Sequence, residues 1–255
     1  MSIKLSSAWN YAILLPLFSL LAACGGGGSD SAPAVTARLE GLYEGPLTGS
    51  TTNSVFRIVI LDDGQYWGIY GSTVGGALLV TGFVQGQGAS TNGAFSSTNL
   101  RDFGVNPAGV GSILGTYSPG QGFNATIVSG PATVTFTGAP VSNFNYNMAA
   151  TVSAVSGNWN ASTLTGSGAA LGISSNGSFA VNSGGCITTG TLTPRLSGTN
   201  IFDVTATTGT VGCANSGVRV VGIALTYLLT TGQRQFLLTA VDPTRTQSVV
   251  LFALR

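Results

Sequence analysis

Val55-Phe56-Arg57-Ile58-Val59-Ile60-Leu61, Asp62-Asp63-Gly64 and Gln65-Tyr66-Trp67-Gly68-Ile69-Tyr70 follow one another without a break. Both arms are rich in β-branched and aromatic residues, which fit a pleated, half-buried surface. Asp-Gly between them supplies the positive backbone angles that a tight hairpin turn needs. The stretch therefore reads as two antiparallel strands. The same pattern recurs downstream, where short apolar runs are punctuated by Asn92-Gly93, Pro119-Gly120, Asn176-Gly177, Gly198-Thr199-Asn200 and Thr231-Gly232. Further strands are expected over Ala77 to Val84, Ser112 to Tyr117, Phe123 to Val128, Ala132 to Thr137 and Tyr146 to Val152. Others follow over Ser178 to Val181, Thr188 to Thr193, Ile201 to Thr207, Val218 to Leu229, Gln235 to Val241 and Ser248 to Leu254. Helical periodicity is absent, and short strands at this spacing predict an all-β, antiparallel sandwich or barrel.

Val218 to Leu225 and Ser248 to Leu254 are nearly continuous apolar runs. Strands of that kind are covered on both faces, or cover an inner core with small residues outside. A membrane-spanning barrel, with lipid-facing and lumen-facing residues alternating, is the rival arrangement. An internal echo adds a second level of order. Gly41-Leu42-Tyr43-Glu44-Gly45 is answered 116 positions later by Gly157-Asn158-Trp159-Asn160-Ala161. Asp63-Gly64-Gln65-Tyr66 is answered 113 positions later by Asn176-Gly177-Ser178-Phe179. Two echoes in nearly one register predict two tandem lobes, each opening on a Gly-x-aromatic strand followed by a hairpin. The expected organisation is a leader over 1–23, a tether over 24–37, a first β lobe over 38–140 and a second over 141–255.

The chain has 255 residues, 44% hydrophobic and only 7% charged, with nine basic residues against eight acidic ones and no histidine. A near-neutral balance argues against a nucleic-acid partner, which needs a basic stripe. The apolar content is too high for a disordered chain.

At the N-terminus, Met1-Ser2-Ile3-Lys4 precedes the apolar run Tyr11 to Ala23, which ends at Cys24. A positive start, an apolar run of about 13 residues and small residues at its end make a secretory leader, too short to span a bilayer. Leu21-Ala22-Ala23-Cys24 resembles the lipobox of bacterial lipoproteins. That resemblance implies cleavage before Cys24, lipidation of its thiol, and a membrane partnership through the acyl chains. Two or more chains hold firmly, at about 0.8 kcal/mol per buried methylene. Gly25 rather than Asp follows the cysteine, which by the same resemblance favours the outer membrane, lipid-anchored on its periplasmic or its outer side. Gly25 to Gly28 and the Ser/Ala/Pro residues up to Ala34 read as a flexible tether. The Gly-x-Trp/Tyr openings resemble those of lipocalins and of small β-barrel surface lipoproteins. The lipocalin likeness implies a ligand cavity, a downstream Asp-containing loop and a late arginine packed on the tryptophan.

Cys186 and Cys213 remain once Cys24 is lipidated, an even count in an oxidising compartment. The turn Gly198-Thr199-Asn200 folds the neighbouring strands back on one another and brings the two cysteines to the same end. A disulfide is expected, contributing roughly 3.5 kcal/mol in the loop-entropy description. A metal site is not expected, since no histidine stands ready as a ligand.

Nothing in the chain points to catalysis. No histidine or downstream lysine can activate a nucleophile. Of the paired carboxylates, Glu40 and Glu44 lie some 13 Å apart on a strand, at about 3.3 Å per residue. Asp62 and Asp63 suit a turn, and Asp102 beside Arg101 reads as a surface loop pair. No cofactor is implied. Tyr66, Trp67 and Tyr70 form the aromatic candidate for ligand binding, with Tyr66 and Tyr70 on one face and Trp67 on the other. The expected function is a lipid-anchored, non-catalytic envelope module that binds an extracellular ligand or an envelope protein. A structural or assembly lipoprotein of the outer membrane is the alternative.

Overall fold

The structure, a computed structural model, describes residues 38–255 except 75, 76, 165 and 230. The expected leader and tether, with Cys24, lie outside the described residues. The fold is all-β and antiparallel, two eight-stranded barrels in tandem.

The first barrel is built from β1 (Gly41–Thr48), β2 (Val55–Ile60), β3 (Gln65–Val74), β4 (Ala77–Gln87), β5 (Ala89–Thr91), β6 (Ala94–Asp102), β7 (Gly109–Ser118), β8 (Gly122–Ser129) and β9 (Ala132–Pro140). Neighbours in sequence pair as a meander and β9 returns to β1 (Leu47 opposite Phe136). Closure comes from β4 against β6 (Val84 opposite Asp102), which leaves β5 as a short strand outside the ring on β6. The second barrel comprises β10 (Gly157–Thr163), β11 (Gly168–Ile173), β12 (Ser178–Ser183), β13 (Cys186–Pro194), β14 (Phe202–Thr208), β15 (Arg219–Leu228), β16 (Arg234–Val241) and β17 (Ser248–Leu254), closed by β17 on β10. Between them runs a linker holding one short 3-10 helix, Val152–Ala154.

The echoed motifs occupy equivalent places. Tyr43 and Trp159 are the third residues of the opening strands, and both point into their own barrel cores. Gly64 and Gly177 each sit in the second turn at φ near +80° (81° and 85°), where a side chain would be strained. Tyr66 and Phe179 follow at the same depth on the next strand, again inward.

Three apolar clusters hold the molecule together. Inside the first barrel, Phe123 is the hub of edge-on contacts with Tyr43, Phe95 and Phe136, at centroid separations of 6.1, 5.4 and 6.0 Å. Inside the second, Trp159 packs against Phe236 at 5.5 Å, with Phe179, Phe202 and Leu251 around them. The third cluster lies between the barrels. Leu42, Val59, Trp67, Ile69 and Phe83 of the first meet Ile223, Leu225, Tyr227, Leu237 and Val250 of the second. This cluster explains the continuous apolar runs. On β2, Phe56, Ile58 and Ile60 face the barrel interior, while Val59 and the following Leu61 face the other barrel. On β15, Ala224 faces inward while Ile223, Leu225 and Tyr227 face across. Away from this contact the first barrel shows Ser96, Thr98, Asn124 and Thr126 to solvent.

Two arginines of the second barrel pin the first. Arg195 donates to Asp62 (2.8 Å) and Asp63 (2.8 Å) in the β2–β3 turn, and to Asp203 (2.7 Å) beside it. Arg245, in the β16–β17 turn, donates to the carbonyls of Gln85 and Asn99, each at 2.7 Å. Between the barrels, Arg57 is buried against Glu44 and over the Tyr227 ring, 4.9 Å from its centroid. Burial pulls this guanidinium down to about 10 and pushes the Glu44 carboxyl up, so desolvation outweighs their mutual attraction.

Three expectations need correction. Tyr146 to Val152 is not a strand. Its backbone is held by the loop before β14, with Asn200 N–H donating to the Tyr146 carbonyl (2.9 Å) and Ala150 N–H to that of Thr199 (3.1 Å). β6 and β11 were not anticipated, because their Ser, Asn, Gly and Ala residues carry little β propensity of their own. Asp102 is not half of a surface pair with Arg101. A register shift between Ser97 and Leu100 resets the alternation, so Asp102 turns into the barrel.

Candidate functional site

The first barrel is closed at one end and open at the other. At the closed end Leu39, Tyr43, Tyr66, Phe95 and Phe123 fill the interior. The other end is framed by the β1–β2, β6–β7 and β8–β9 turns. A cavity of about 500 Å³ opens there. Its apolar wall is Leu47, Phe56, Val84, Val105, Ile127 and Val134, and its polar lining is Ser50 to Asn53, Tyr70, Thr81, Asp102 and Ser129. The rim loop is tied down locally. Ser50 Oγ accepts from Asn53 N–H (2.9 Å), Thr81 donates to Asn53 Oδ1 (2.6 Å), and Ser72 donates to the Thr52 carbonyl (2.6 Å).

Asp102 is the centre of the polar wall, only 7% exposed. Its Oδ1 accepts from the Tyr70 hydroxyl (2.6 Å) and from Gly104 N–H (2.9 Å), and its Oδ2 from the Ser129 hydroxyl (2.7 Å). These groups come from β3, β6 and β8 and from the turn after β6. Tyr70 reaches Asp102 because the positions beside its ring carry no side chain. A Cβ on Gly82 would stand 2.2 Å from the phenol, and one on Gly104 only 1.8 Å from its oxygen. Burial, together with the hydrogen bond to Asp102 and its charge, pushes the Tyr70 phenol far above its ordinary range, so it stays a neutral donor.

The aromatic trio separates. Tyr70 lines the cavity. Tyr66 shares its face, as alternation required, but lies at the closed end, where its hydroxyl is 2.9 Å from Ser97 Oγ and burial pushes it up to about 12. Trp67 points the opposite way, into the cluster between the barrels. Tyr66 and Trp67 therefore do not meet the cavity. Asp102 and Ser129 were missed because the first follows a bulge that hides its parity and the second is one serine among many.

The remaining acids have other partners. Asp242 accepts from the backbone N–H groups of Thr244, Thr246 and Gln247 in its own turn. Among the described residues no group of three or more Cys, Asp or Glu side chains is placed to hold a metal ion.

In the second barrel, Arg255 lies over the Trp159 ring, 4.1 Å from its centroid, and donates to the Ser156 carbonyl (2.8 Å). Trp159 Nε1–H donates to the Val155 carbonyl (2.7 Å). The tryptophan of this barrel's opening strand is thus covered by the arginine that follows its last strand. At the opposite end, Cys186 and Cys213 form a disulfide with Cα atoms 4.6 Å apart. The pairing of Thr188 with Thr208 sets the two cysteines side by side.

No family model matches the chain, and no curated protein matches it. Among solved structures, the chain is similar to Aeromonas veronii immune modulator A, at 9% identity and a TM-score of 0.38, over 85% of this chain and 94% of that one.

Proposed function

We propose that the protein is a lipid-anchored, non-catalytic binding module of the bacterial outer membrane, and that its ligand enters the open end of the first barrel. The observation that carries this reading is the cavity of about 500 Å³ with an apolar wall and one convergent polar cluster. Small-molecule sites have this size and this division of labour. The other acids are engaged in structure: Asp62 and Asp63 with Arg195, Glu44 with Arg57. Asp102 has no second carboxylate among the cavity-lining residues to act with it, which supports binding rather than hydrolysis.

Two measurements test the reading. Cys24→Ser should abolish acyl-chain incorporation and shift the protein out of the detergent phase; unchanged partition would overturn the anchor. The mature protein should enhance the fluorescence of an environment-sensitive apolar dye. Ala132→Trp, at the exposed rim, should weaken that binding about tenfold (~1.4 kcal/mol) with the melting temperature unchanged. Equal dye binding by both forms would place the site elsewhere.

A further inference from the structure

We propose that the cavity of the first barrel selects a small amphiphile bearing a primary ammonium, with Asp102 as the group that meets its charge; this rests on the binding reading above. Three observations lead there.

The first is an uncompensated charge. Asp102 is buried, and all its donors are neutral: two hydroxyls and one backbone N–H. Among the described residues no arginine forms an ion pair with it. A buried carboxylate is normally paired with a cation, because its lost hydration is otherwise poorly replaced. In a chain with only 7% charged residues, placing one of them in a cavity wall without a counter-ion leaves a site for a cation.

The second is spare acceptor capacity in the right place. A carboxylate offers about four lone-pair sites. Oδ1 has two donors, Tyr70 and Gly104, whereas Oδ2 has one, Ser129. The open position is on the oxygen shared with a serine that itself lines the cavity. A compact ammonium with three N–H groups can fill it.

The third is what surrounds the carboxylate. Phe56, Val84, Ile127 and Val134 present hydrocarbon, and no lysine or arginine lines the cavity. An aliphatic body is accommodated and an anionic head is disfavoured. Tyr70, held as a neutral phenol against Gly82 and Gly104, fixes the carboxylate's orientation before any ligand arrives. That preorganisation lowers the ordering cost of binding.

The test is competition against the apolar dye at pH 7 with decylamine, decanol and decanoate on the mature protein. Wild type should bind decylamine at least about tenfold more tightly than decanol, the scale of one charge-assisted hydrogen bond, and decanoate most weakly. Asp102→Asn should bring decylamine down to decanol's level and leave decanol unchanged. Tyr70→Phe removes a donor but keeps the charge, so the ammonium preference should survive it. Equal affinity for decylamine and decanol in the wild type, or loss of the preference in Tyr70→Phe, would overturn the ammonium assignment while leaving the binding module intact. Failure of the dye and all three compounds to bind would instead remove the binding reading and this inference together.

Discussion

At the start of β1 the inward aromatic is Tyr43, and at the start of β10 it is Trp159. Tyr43 packs edge-on against Phe123 within the apolar cluster of the first barrel. Trp159 is covered instead by Arg255 across its face, and Arg255 also holds the Ala154 and Ser156 carbonyls at the end of the short 3-10 segment. The two barrels thus follow the same path and close the corresponding end with different chemistry. At the other end they diverge further. The second barrel straps its long β14–β15 loop down with the Cys186–Cys213 disulfide. The first has no such strap there and lines that end with small residues such as Gly49, Ser50, Ser129 and Ala132. Strand order therefore does not decide whether a small barrel holds a cavity. That depends on how much side-chain volume stands at the inward positions of each level.

The sharpest way to break the comparison is to truncate one inward residue in each barrel, one in the packed interior and one on the cavity wall. Trp159→Ala removes the largest side chain of a packed interior and should destabilise by about 3–5 kcal/mol. Val134→Ala, on the cavity wall and already half-buried, should destabilise by about 1 kcal/mol or less. Denaturant titration checks both; equal effects would mean that the first barrel's open end is as tightly packed as the second's interior.

The disulfide comes next. Cys186→Ser with Cys213→Ser should lower stability by roughly 3.5 kcal/mol, through the freed unfolded chain, without rearranging the barrel. If the dye-binding cavity of the first barrel weakens in that variant, the two barrels are coupled more strongly than their shared apolar cluster implies.

A smaller effect than that of the disulfide is expected at the clamp. Arg195→Ala removes bonds to carboxylates that are one-third to one-half exposed, so about 1–2 kcal/mol is expected, chiefly as a looser contact between the barrels. Its pH dependence has a definite sign. Burial raises the Asp62 carboxyl, but the hydrogen bond and charge of Arg195 outweigh it and hold the group below its ordinary value. The clamp's contribution is thus complete above about pH 4 and is lost as the pH falls through the lower folded value. Acid below that point should split a single unfolding transition into two in the wild type, and Arg195→Ala should show the split at neutral pH.

How much of this was legible is clearest residue by residue. Ser248 to Leu254 matches β17 to the residue, and the turns at Asp63-Gly64 and Asn176-Gly177 stand where their sequences place them. Their signals are local: β-branched runs, and glycine where φ must be positive. Cys186 and Cys213 were pairable because one short turn relates their strands. Arg195, Arg245 and Asp102 were not legible. Arg195 finds Asp62 across 133 positions, and nothing near either residue announces the other.

Alternation, turn residues and an echoed Gly-x-aromatic motif were enough to determine an antiparallel β chain of two similar halves, because backbone geometry and side-chain period act within a few residues. Whether a continuous apolar strand faced lipid, a second sheet or a second barrel was decided only when the two barrels packed, since β2 and β15 bury one face in their own cores and the other against each other. The cavity was decided by tertiary structure too, within the first barrel. Its polar wall exists because a bulge in β6 turns Asp102 inward at the level where glycines leave room for Tyr70, and a bulge is a property of the closed ladder of strands rather than of any stretch of sequence.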